Sequence, residues 1–269
     1  MAGTKPHLVI LLADNLGWAN VGYHRPPGVD PHEYATPNID ALASSGIELD
    51  RHYTYKFCSP SRSSLLSGRL PFHVNIYNDD PAMEGQGVPT NMTLISDKLS
   101  TVGYATHFIG KWHVGMASRS QNPPEARGFD TSFGYFHSTN SYYSSLRAEG
   151  CVDSTGTPHP ATDLWDTGAP SDLNGSAYEE RLFAQRAVEL IQAHDVRRPF
   201  FLYYAFHTSW CGGTTLTIRA VAKPLTICMT PAVYARQRRM EHDGRCRRRV
   251  GQLAARRRLL CARQLHRRP

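Results

Sequence analysis

The sequence predicts an α/β fold with a mostly parallel sheet flanked by helices. Apolar runs of strand length alternate along the chain with runs that have helical periodicity. Two of the strand-like runs, residues 8–13 and 200–206, are apolar or aromatic at every position, which is typical of parallel strands covered by helices on both faces. With 269 residues, of which 41% are hydrophobic, the chain is long enough to bury a substantial core.

Four strands are predicted. The first lies within residues 5–13 and is expected to be central and buried on both faces, because its apolar run is bounded by polar residues. Residues 47–54 are predicted as a strand that leads toward Cys58. Residues 104–109 follow a glycine, and residues 200–206 are rich in aromatic side chains, so both are predicted as buried strands.

Helices are predicted between these strands from the signals at their ends. Thr36 is expected to cap a helix that stops at Gly46, and residues 94–102 form a second, shorter helix. Ser176 and Glu179 have the spacing of a capping box at the start of a third helix. The apolar face of this third helix comprises Phe183, Ala187, Leu190 and Ile191.

Cys58 stands just before another predicted helix start. Pro60 suits the first helical turn, and Gly68 is suited to ending the helix. Free backbone N–H groups at a helix start favour anions, and the guanidinium of Arg62 adds a cation that can bind two oxygens of a sulfate or phosphate. The sequence therefore places a cysteine where an oxyanion would bind, although a buried structural cysteine is the alternative for such a motif in isolation.

Polar residues follow two of the predicted strands. Asp14 and Asn15 come after the first strand, where their oxygens could hold a hard cation such as Ca²⁺, or could serve only in a turn. Lys111 and His113 come after the strand at residues 104–109. Because open α/β sheets bind ligands at the carboxyl ends of their strands, these pairs are candidates for one site. A loop lysine and a half-buried histidine are the alternative interpretation.

Three segments resemble the sulfatase family. Residues 58–69, Cys-Ser-Pro-Ser-Arg-Ser-Ser-Leu-Leu-Ser-Gly-Arg, resemble the first signature of these formylglycine-dependent enzymes, and residues 103–113 resemble the second. Residues 127–135 look like a scaffold segment of the arylsulfatase B-like branch. The resemblance covers residues 5–210, the N-terminal portion of the family's catalytic domain, and implies an alkaline-phosphatase-like fold.

The resemblance implies hydrolysis of sulfate monoesters. By the family's pattern, Cys58 is oxidised to formylglycine by the formylglycine-generating enzyme, and one hydroxyl of the hydrated aldehyde attacks sulfur. Arg62 and Lys111 would contact sulfate oxygens, and His113 would hydrogen-bond the formylglycine hydroxyl. Asp14, Asn15 and the Cys58 product would hold one Ca²⁺ ion. The implied substrate is a sulfated small molecule or glycan, and the implied location is lysosomal or secreted.

The chain departs from the family pattern at several positions. Asn15 replaces a second aspartate, and Trp210 occupies the position of a substrate-binding histidine, with His207 three residues earlier as a weak candidate substitute. The downstream Asp-Asn pair and lysine of the family have no identifiable counterpart. Weak metal binding and little or no turnover are therefore expected. A phosphatase or phosphodiesterase of the same fold is a rival that would use a Ser or Thr nucleophile, and an inactive sulfatase fragment is another.

Residues 211–269 differ in charge from the rest of the chain. They contain 15 Lys and Arg against 2 Asp and Glu, whereas residues 1–210 contain 15 against 21. An Arg-rich tail could bind nucleic acid or another polyanion, but this one has few aromatic residues and no recognisable motif, so nucleic acid is not the expected partner. The abrupt change near residue 210 leads to the hypothesis that the tail is disordered, read out of frame, or spliced from unrelated sequence.

Compartment signals in the sequence are few. No apolar run has the length of a membrane span, and the run that ends at Ala13 is too short to predict a signal peptide. Only Cys58 and Cys151 precede residue 211, so no disulfide framework is predicted. Asn91 and Asn174 begin glycosylation sequons, which matter only in the secretory pathway. Residues 137–175 are expected to form long surface loops.

Overall fold

The computed structural model describes residues 5–31, 35–75, 77, 81–152, 157–207, 216–220 and 223–227. It confirms the predicted class, a mostly parallel sheet flanked by helices. The helices are α1 Pro37–Ser45, α2 Cys58–Ser67, α3 Pro71–Val74, α4 Ile95–Thr101 and α5 Glu179–Ala193. The strands are β1 Leu8–Leu12, β2 Ala105–Lys111, β3 Thr131–Tyr135, β4 Leu146–Val152, β5 Pro158–Thr162, β6 Trp165–Asp166, β7 Ala169–Pro170, β8 Phe200–Ala205, β9 Leu216–Ala220 and β10 Lys223–Ile227.

Six strands form the main sheet in the order β1-β8-β2-β3-β6-β7. The first four are parallel, and the short strands β6 and β7 extend the sheet antiparallel. In register, Tyr203 of β8 lies between Ile10 of β1 and Phe108 of β2. The carboxyl ends of β1, β8 and β2 therefore meet at one edge of the sheet, where ligand sites occur in open α/β folds.

The core has two layers, one on each face of the sheet. Alternate side chains of β8 enter opposite layers, with Phe201 and Tyr203 in one and Phe200 and Tyr204 in the other. The predicted apolar face of α5 packs in the second layer, where Phe183 is fully buried. Strand β8 is thus covered on both faces, which explains its continuous apolar sequence.

Within the described ranges, the first strand is not central as predicted. Strand β1 lies at the edge of the sheet and, within the ranges described above, pairs only with β8. Val9 is 51% exposed and Leu11 is 37% exposed on its outer face. An apolar run indicates that a strand is suited to burial, but it does not show which part of a chain packs against that strand.

The predicted strand at residues 47–54 is also absent from the structure. Ile47, Leu49 and Tyr53 are 90%, 65% and 84% exposed, and no described strand lies beside the segment to satisfy its backbone. The residues in this segment are compatible with a strand, but a strand also needs a neighbouring strand with which to form hydrogen bonds.

Other boundaries differ from the predictions in smaller ways. The predicted capping box does not form. The hydroxyl of Ser176 donates a hydrogen bond to the carbonyl of Leu173, and α5 begins after Tyr178. Part of the region predicted as loops, residues 137–175, forms β4 to β7. Strands β9 and β10 pair with each other in antiparallel fashion and were not predicted from the sequence. Within the described ranges, no helix combines the length and apolar character that crossing a membrane requires.

Candidate active site

Four of the predicted site residues meet at the carboxyl edge of the sheet. Asp14 follows β1, Lys111 is the last residue of β2, and Cys58 and Arg62 lie in the first two turns of α2. Residues 44 to 97 positions apart in the sequence are brought into contact here. Residues of the two signature motifs therefore lie together at this edge of the sheet.

Helix α2 presents its first residue to this site. Cys58 is the first helical residue rather than the one before the helix, a difference of one position from the prediction. Phe57, the preceding residue, is extended, and Gly68 ends the helix in the left-handed conformation with φ 65°. The Cys58 side chain is partly exposed and its Sγ donates to Oδ1 of Asp14 at 3.6 Å.

Arg62 is buried beneath the site, with 2% of its surface exposed. One guanidinium nitrogen donates to the backbone carbonyl of Lys111 at 2.8 Å and lies 3.5 Å from the hydroxyl of Tyr203. These contacts join α2 to β2 and β8. Since an arginine remains protonated under ordinary conditions, the site holds a fixed positive charge in a region with little water.

Asp14 is the counter-ion of this cluster. Its Oδ2 accepts from Nζ of Lys111 at 2.6 Å and lies 3.9 Å from the guanidinium of Arg62. Burial would raise the pKa of Asp14, but the positive charges of Lys111 and Arg62 outweigh burial and hold that pKa below its usual value. The three buried side chains carry a formal net charge of +1.

Two site residues have strained backbones. Asn15 has φ 59° and His113 has φ 51°, in the left-handed region that residues other than glycine rarely adopt. The side chain of Asn15 is exposed, whereas His113 is fully buried and its backbone N–H donates to the carbonyl of Phe136 at 3.2 Å. Such strain persists only where surrounding structure imposes it, and it concentrates at functional sites.

Asp163 fixes the segment at Phe136 and His137, and the carbonyl of Phe136 accepts a hydrogen bond from His113. Its carboxylate accepts from the backbone N–H groups of Phe136 and His137 at 3.0 and 2.9 Å, and from the indole N–H of Trp165 at 2.9 Å. The rings of His113 and His137 lie stacked with centroids 6.3 Å apart. Asp163 was missed by the sequence analysis because no motif marks it, and its role depends on contacts between segments that are distant in the chain.

The described residues do not form a complete calcium site. Ca²⁺ takes six to eight oxygen ligands, but Asp14 already binds Lys111 through one oxygen and accepts from Cys58 through the other. Asn15 is exposed and has a left-handed backbone conformation. The described ranges contain no group of three or more His, Cys, Asp or Glu side chains that could hold a metal ion. The predicted Ca²⁺ ion would require ligands from outside these ranges.

A second buried cluster lies beside the first. Glu179 and Glu180, the first residues of α5, both contact His207, which follows β8. Oε1 of Glu179 contacts Nδ1 of the imidazole, and Oε1 of Glu180 accepts from the backbone N–H of His207. Glu179 was predicted as part of a capping box, but it is fully buried and its carboxyl contacts His207 instead. Trp210 lies outside the described residues.

Burial shifts both partners of the Glu179–His207 pair toward their neutral forms. Burial raises the pKa of Glu179 to about 8. Burial, together with the positive charge of Lys111, lowers the pKa of His207 to about 3. At neutral pH the pair is therefore a protonated carboxyl beside a neutral imidazole.

These shifts predict a stability profile. Glu179 binds a proton more tightly in the folded chain, so its contribution is complete below pH 4.5 and is lost as pH rises to about 8. His207 binds a proton less tightly when folded, so stability increases with pH from about 3 to 6.5. The two slopes cancel between pH 4.5 and 6.5. We expect the free energy of unfolding to fall by about 2 kcal/mol between pH 6.5 and 8, at about 1.4 kcal/mol per pH unit.

Urea unfolding at pH 6.5 and pH 8 measures this loss. The matched variant Glu179→Gln keeps the shape of the side chain but has no proton to release, so its stability should be the same at both pH values. An equal decline in the parent chain and in Glu179→Gln would contradict the assignment of the slope to Glu179.

Comparison with known proteins places this geometry in a family. The model of the sulfatase family matches residues 6–210. Arylsulfatase J of Mus musculus is 34% identical over 208 residues, which cover 76% of this chain and 33% of that protein. N-acetylgalactosamine-6-sulfatase of Mus musculus is 32% identical over 228 residues, covering 76% and 40%. The chain thus spans about a third to two fifths of the length of these relatives.

Solved structures give the same result. The crystal structure of Ps i-CgsB matches with a TM-score of 0.62 and 29% identity, covering 76% of this chain and 46% of that one. The sulfatase PsFucS1 from Pseudoalteromonas sp. matches with a TM-score of 0.56 and 27% identity, covering 81% and 46%. The fold, the two signature motifs and the family match agree over the same residues. The chain belongs to the sulfatase family.

Proposed function

We propose that the protein is a sulfuric ester hydrolase that acts on sulfate monoesters through Cys58. The observation that carries this proposal is the contact of Cys58 at a helix start with Asp14, which in turn binds the buried cations of Lys111 and Arg62. A monoester places negative charge on its non-bridging and leaving oxygens as it reacts. Cations that are already buried in a site with little water stabilise that charge more strongly than cations in water do.

The modification of Cys58 to formylglycine is part of the proposal. When formed, the hydrated aldehyde supplies the hydroxyl that attacks sulfur. Cys58 is partly exposed, while its neighbours Ser59 and Pro60 are buried, so Cys58 is the one residue of these three that a modifying enzyme could reach in the folded chain. The formylglycine-generating enzyme is the proposed partner for this step.

Each buried charge has a proposed task in binding. The ammonium group of Lys111 would exchange its hydrogen bond to Asp14 for one to a sulfate oxygen. Arg62 would keep the backbone of Lys111 in place through its 2.8 Å hydrogen bond to the carbonyl of that residue. His113, fully buried and held in a strained backbone, would exchange a proton with the nucleophile. We propose that any Ca²⁺ ion depends on ligands beyond the described residues, and no step here relies on it.

An inactive fragment is the alternative, and specific observations favour it. Both oxygens of Asp14 already accept hydrogen bonds, one from Lys111 and the other from Cys58, so neither is free to bind Ca²⁺ without losing a partner. In addition, apolar side chains such as Val9 and Ile47 are exposed. These features are expected of a sulfatase portion that lacks some of its contacts.

The proposed substrate is a sulfated glycan or small molecule. This follows from the similarity to an arylsulfatase and to an N-acetylgalactosamine-6-sulfatase, whose names refer to such esters. A lysosomal or secreted location is proposed on the same ground. Asn91, the first residue of one sequon, is exposed and so accessible for glycosylation in that pathway, while Asn174 is half-buried.

Mass analysis and an activity assay together test the proposed function. The full chain, produced together with a formylglycine-generating enzyme, is expected to carry formylglycine at Cys58 and to release 4-nitrophenol from 4-nitrophenyl sulfate, if slowly. Cys58→Ala should abolish both signals, because the methyl side chain has no nucleophile.

The outcomes separate the candidates. Modified Cys58 with no turnover above the Cys58→Ala control would favour the inactive fragment. An unmodified Cys58 that nonetheless supports turnover would overturn the formylglycine step, and hydrolysis of 4-nitrophenyl phosphate in preference to the sulfate would favour the phosphatase rival.

A further inference from the structure

Lys56 is an exposed cation beside Cys58 that has no task in the reaction proposed above. It lies two residues before Cys58, so the Cα atoms of the two residues are at most about 8 Å apart. Lys56 and its neighbours Tyr55 and Phe57 are exposed, and Cys58 is partly exposed. A molecule that reaches Cys58 from solvent therefore passes close to this lysine.

The backbone on both sides of Lys56 is tied to helix α2 by one residue. The hydroxyl of Ser61 donates to the carbonyl of Tyr55 at 2.6 Å, and the backbone N–H of Ser61 donates to the carbonyl of Phe57 at 3.2 Å. Cys58 and Ser61 belong to the first turn of the same helix. These two hydrogen bonds therefore fix the backbone of Lys56 relative to Cys58.

Two aromatic rings support the side chain of Lys56. Its Nζ lies 5.2 Å from the centroid of the Phe57 ring and 6.0 Å from that of the Tyr55 ring, which is within the range of cation–π attraction. Phe57 is 47% exposed and Tyr55 is 37% exposed, so these rings do not shield the ammonium group from ligands in solution. Because the rings already restrict the lysine side chain, it loses less conformational entropy when a ligand binds.

The charge of Lys56 is not neutralised by the part of the chain that the structure describes. No carboxylate there lies within ion-pair distance of its Nζ, whereas Arg51 has Asp50 at 3.8 Å and Lys111 has Asp14 at 2.6 Å. An anion can therefore bind to Lys56 without displacing a carboxylate, which is not possible at Lys111. The positive charge also attracts anions toward this face of the molecule.

We propose that Lys56 binds a second anionic group, a sulfate or a carboxylate, of the substrate whose sulfate ester reaches Arg62 and Lys111. This inference rests on the function proposed above and narrows its substrate class to esters that carry at least two negative charges. Lys56 is then a residue that determines specificity, and it takes no part in breaking the ester bond. Ser61, Tyr55 and Phe57 hold it in position.

Calorimetric titration of the full chain with three aryl sulfates tests this inference. The esters differ only in the group opposite the sulfate, which is an uncharged amide in 4-carbamoylphenyl sulfate, a carboxylate in 4-carboxyphenyl sulfate and a sulfonate in 4-sulfonatophenyl sulfate. With Cys58 unmodified, binding is measured without turnover. We expect the two dianions to bind about twofold to fivefold more tightly than the amide at low salt, as for one exposed ion pair. This advantage should shrink at high salt, because salt screens exposed charges.

Substitutions of Lys56 separate its charge from the charge of the sulfate site. Lys56→Met removes the ammonium group and should abolish the advantage of the dianions while leaving the affinity for the amide unchanged. Lys56→Arg keeps the positive charge and should retain the advantage. Lys98→Met, which removes an exposed lysine from α4, is the matched control and should behave as the parent chain does.

The possible outcomes are distinct. If all three esters bind equally to the parent chain, or if the advantage of the dianions survives in Lys56→Met, the inference is overturned while the proposed function stands. If none of the three esters binds, the proposed sulfate site fails and the inference fails with it. An advantage confined to the carboxylate or to the sulfonate supports the inference and identifies the second group.

Discussion

Replacing Gly110 with alanine is expected to lower the free energy of unfolding by more than about 4 kcal/mol, which few single substitutions do. Gly110 lies in β2 immediately before Lys111 and has φ 97°, a conformation that side chains disfavour. A Cβ at this position would lie 1.9 Å from the carbonyl oxygen of Ala205 in β8. The added Cβ is attached to the backbone of β2, and the carbonyl oxygen belongs to the backbone of β8. Neither can move without separating these two strands.

Gly103→Ala is the matched control for this prediction. Gly103 has φ 90°, but an added Cβ would meet nothing within 4 Å. Its replacement therefore carries the conformational cost alone, about 1–2 kcal/mol. Urea unfolding of the two variants compares them directly. Equal losses would show that the positive φ, and not the close approach of β2 to β8, is what requires glycine at residue 110.

The close approach at Gly110 also bears on the active site. Gly110 lies opposite Ala205 on one side and Gly134 on the other, so small residues form a row across three strands at their carboxyl ends. A Cβ at Gly134 would likewise meet the carbonyl oxygen of Gly110 at 1.9 Å. This row lets the strands approach where β2 turns toward Lys111 and His113. Loss of sulfate binding should accompany any loss of stability in Gly110→Ala.

Sequence reasoning singled out the residues that meet at this edge because the relevant signals are local. Cys58, Arg62 and Lys111 lie in short motifs at the ends of elements, and the ends of parallel strands meet at one edge whatever their order. The sheet order itself is not a local property, and this explains the error about β1. Its apolar run is equally compatible with a central strand and with an edge strand.

The second buried cluster was beyond the reach of the same reasoning. Glu179 is the first residue of an amphipathic helix, where a glutamate is most simply interpreted as part of a cap, and His207 follows a strand, as many polar residues do. Only the packing of α5 against β8 brings them together. A contact between residues 28 positions apart leaves no period and no motif in a single sequence.

Lys111→Met is expected to destabilise the chain by about 3–5 kcal/mol, because it leaves the buried carboxylate of Asp14 without its closest partner. Arg62, at 3.9 Å, remains but is already directed toward the carbonyl of Lys111. Burial then prevails over the remaining positive charge, so the pKa of Asp14 should rise. In the parent chain, by contrast, the lowered pKa means that the contribution of Asp14 is present above about pH 4 and is lost as pH falls further.

The double variant Asp14→Asn/Lys111→Met separates the ion pair from its desolvation. In the double variant the carboxylate is no longer buried without Lys111, while Arg62 keeps its 2.8 Å bond to the carbonyl of residue 111. The double variant should therefore be more stable than Lys111→Met alone by at least about 1 kcal/mol, the lower range of couplings between contacting residues. Urea unfolding of the parent, both single variants and the double variant gives the coupling. Additive losses would contradict a direct interaction at 2.6 Å. Because Nζ of Lys111 already donates to Asp14, a bound sulfate must compete with Asp14 for Lys111, so Asp14→Asn should bind inorganic sulfate more tightly than the parent chain does.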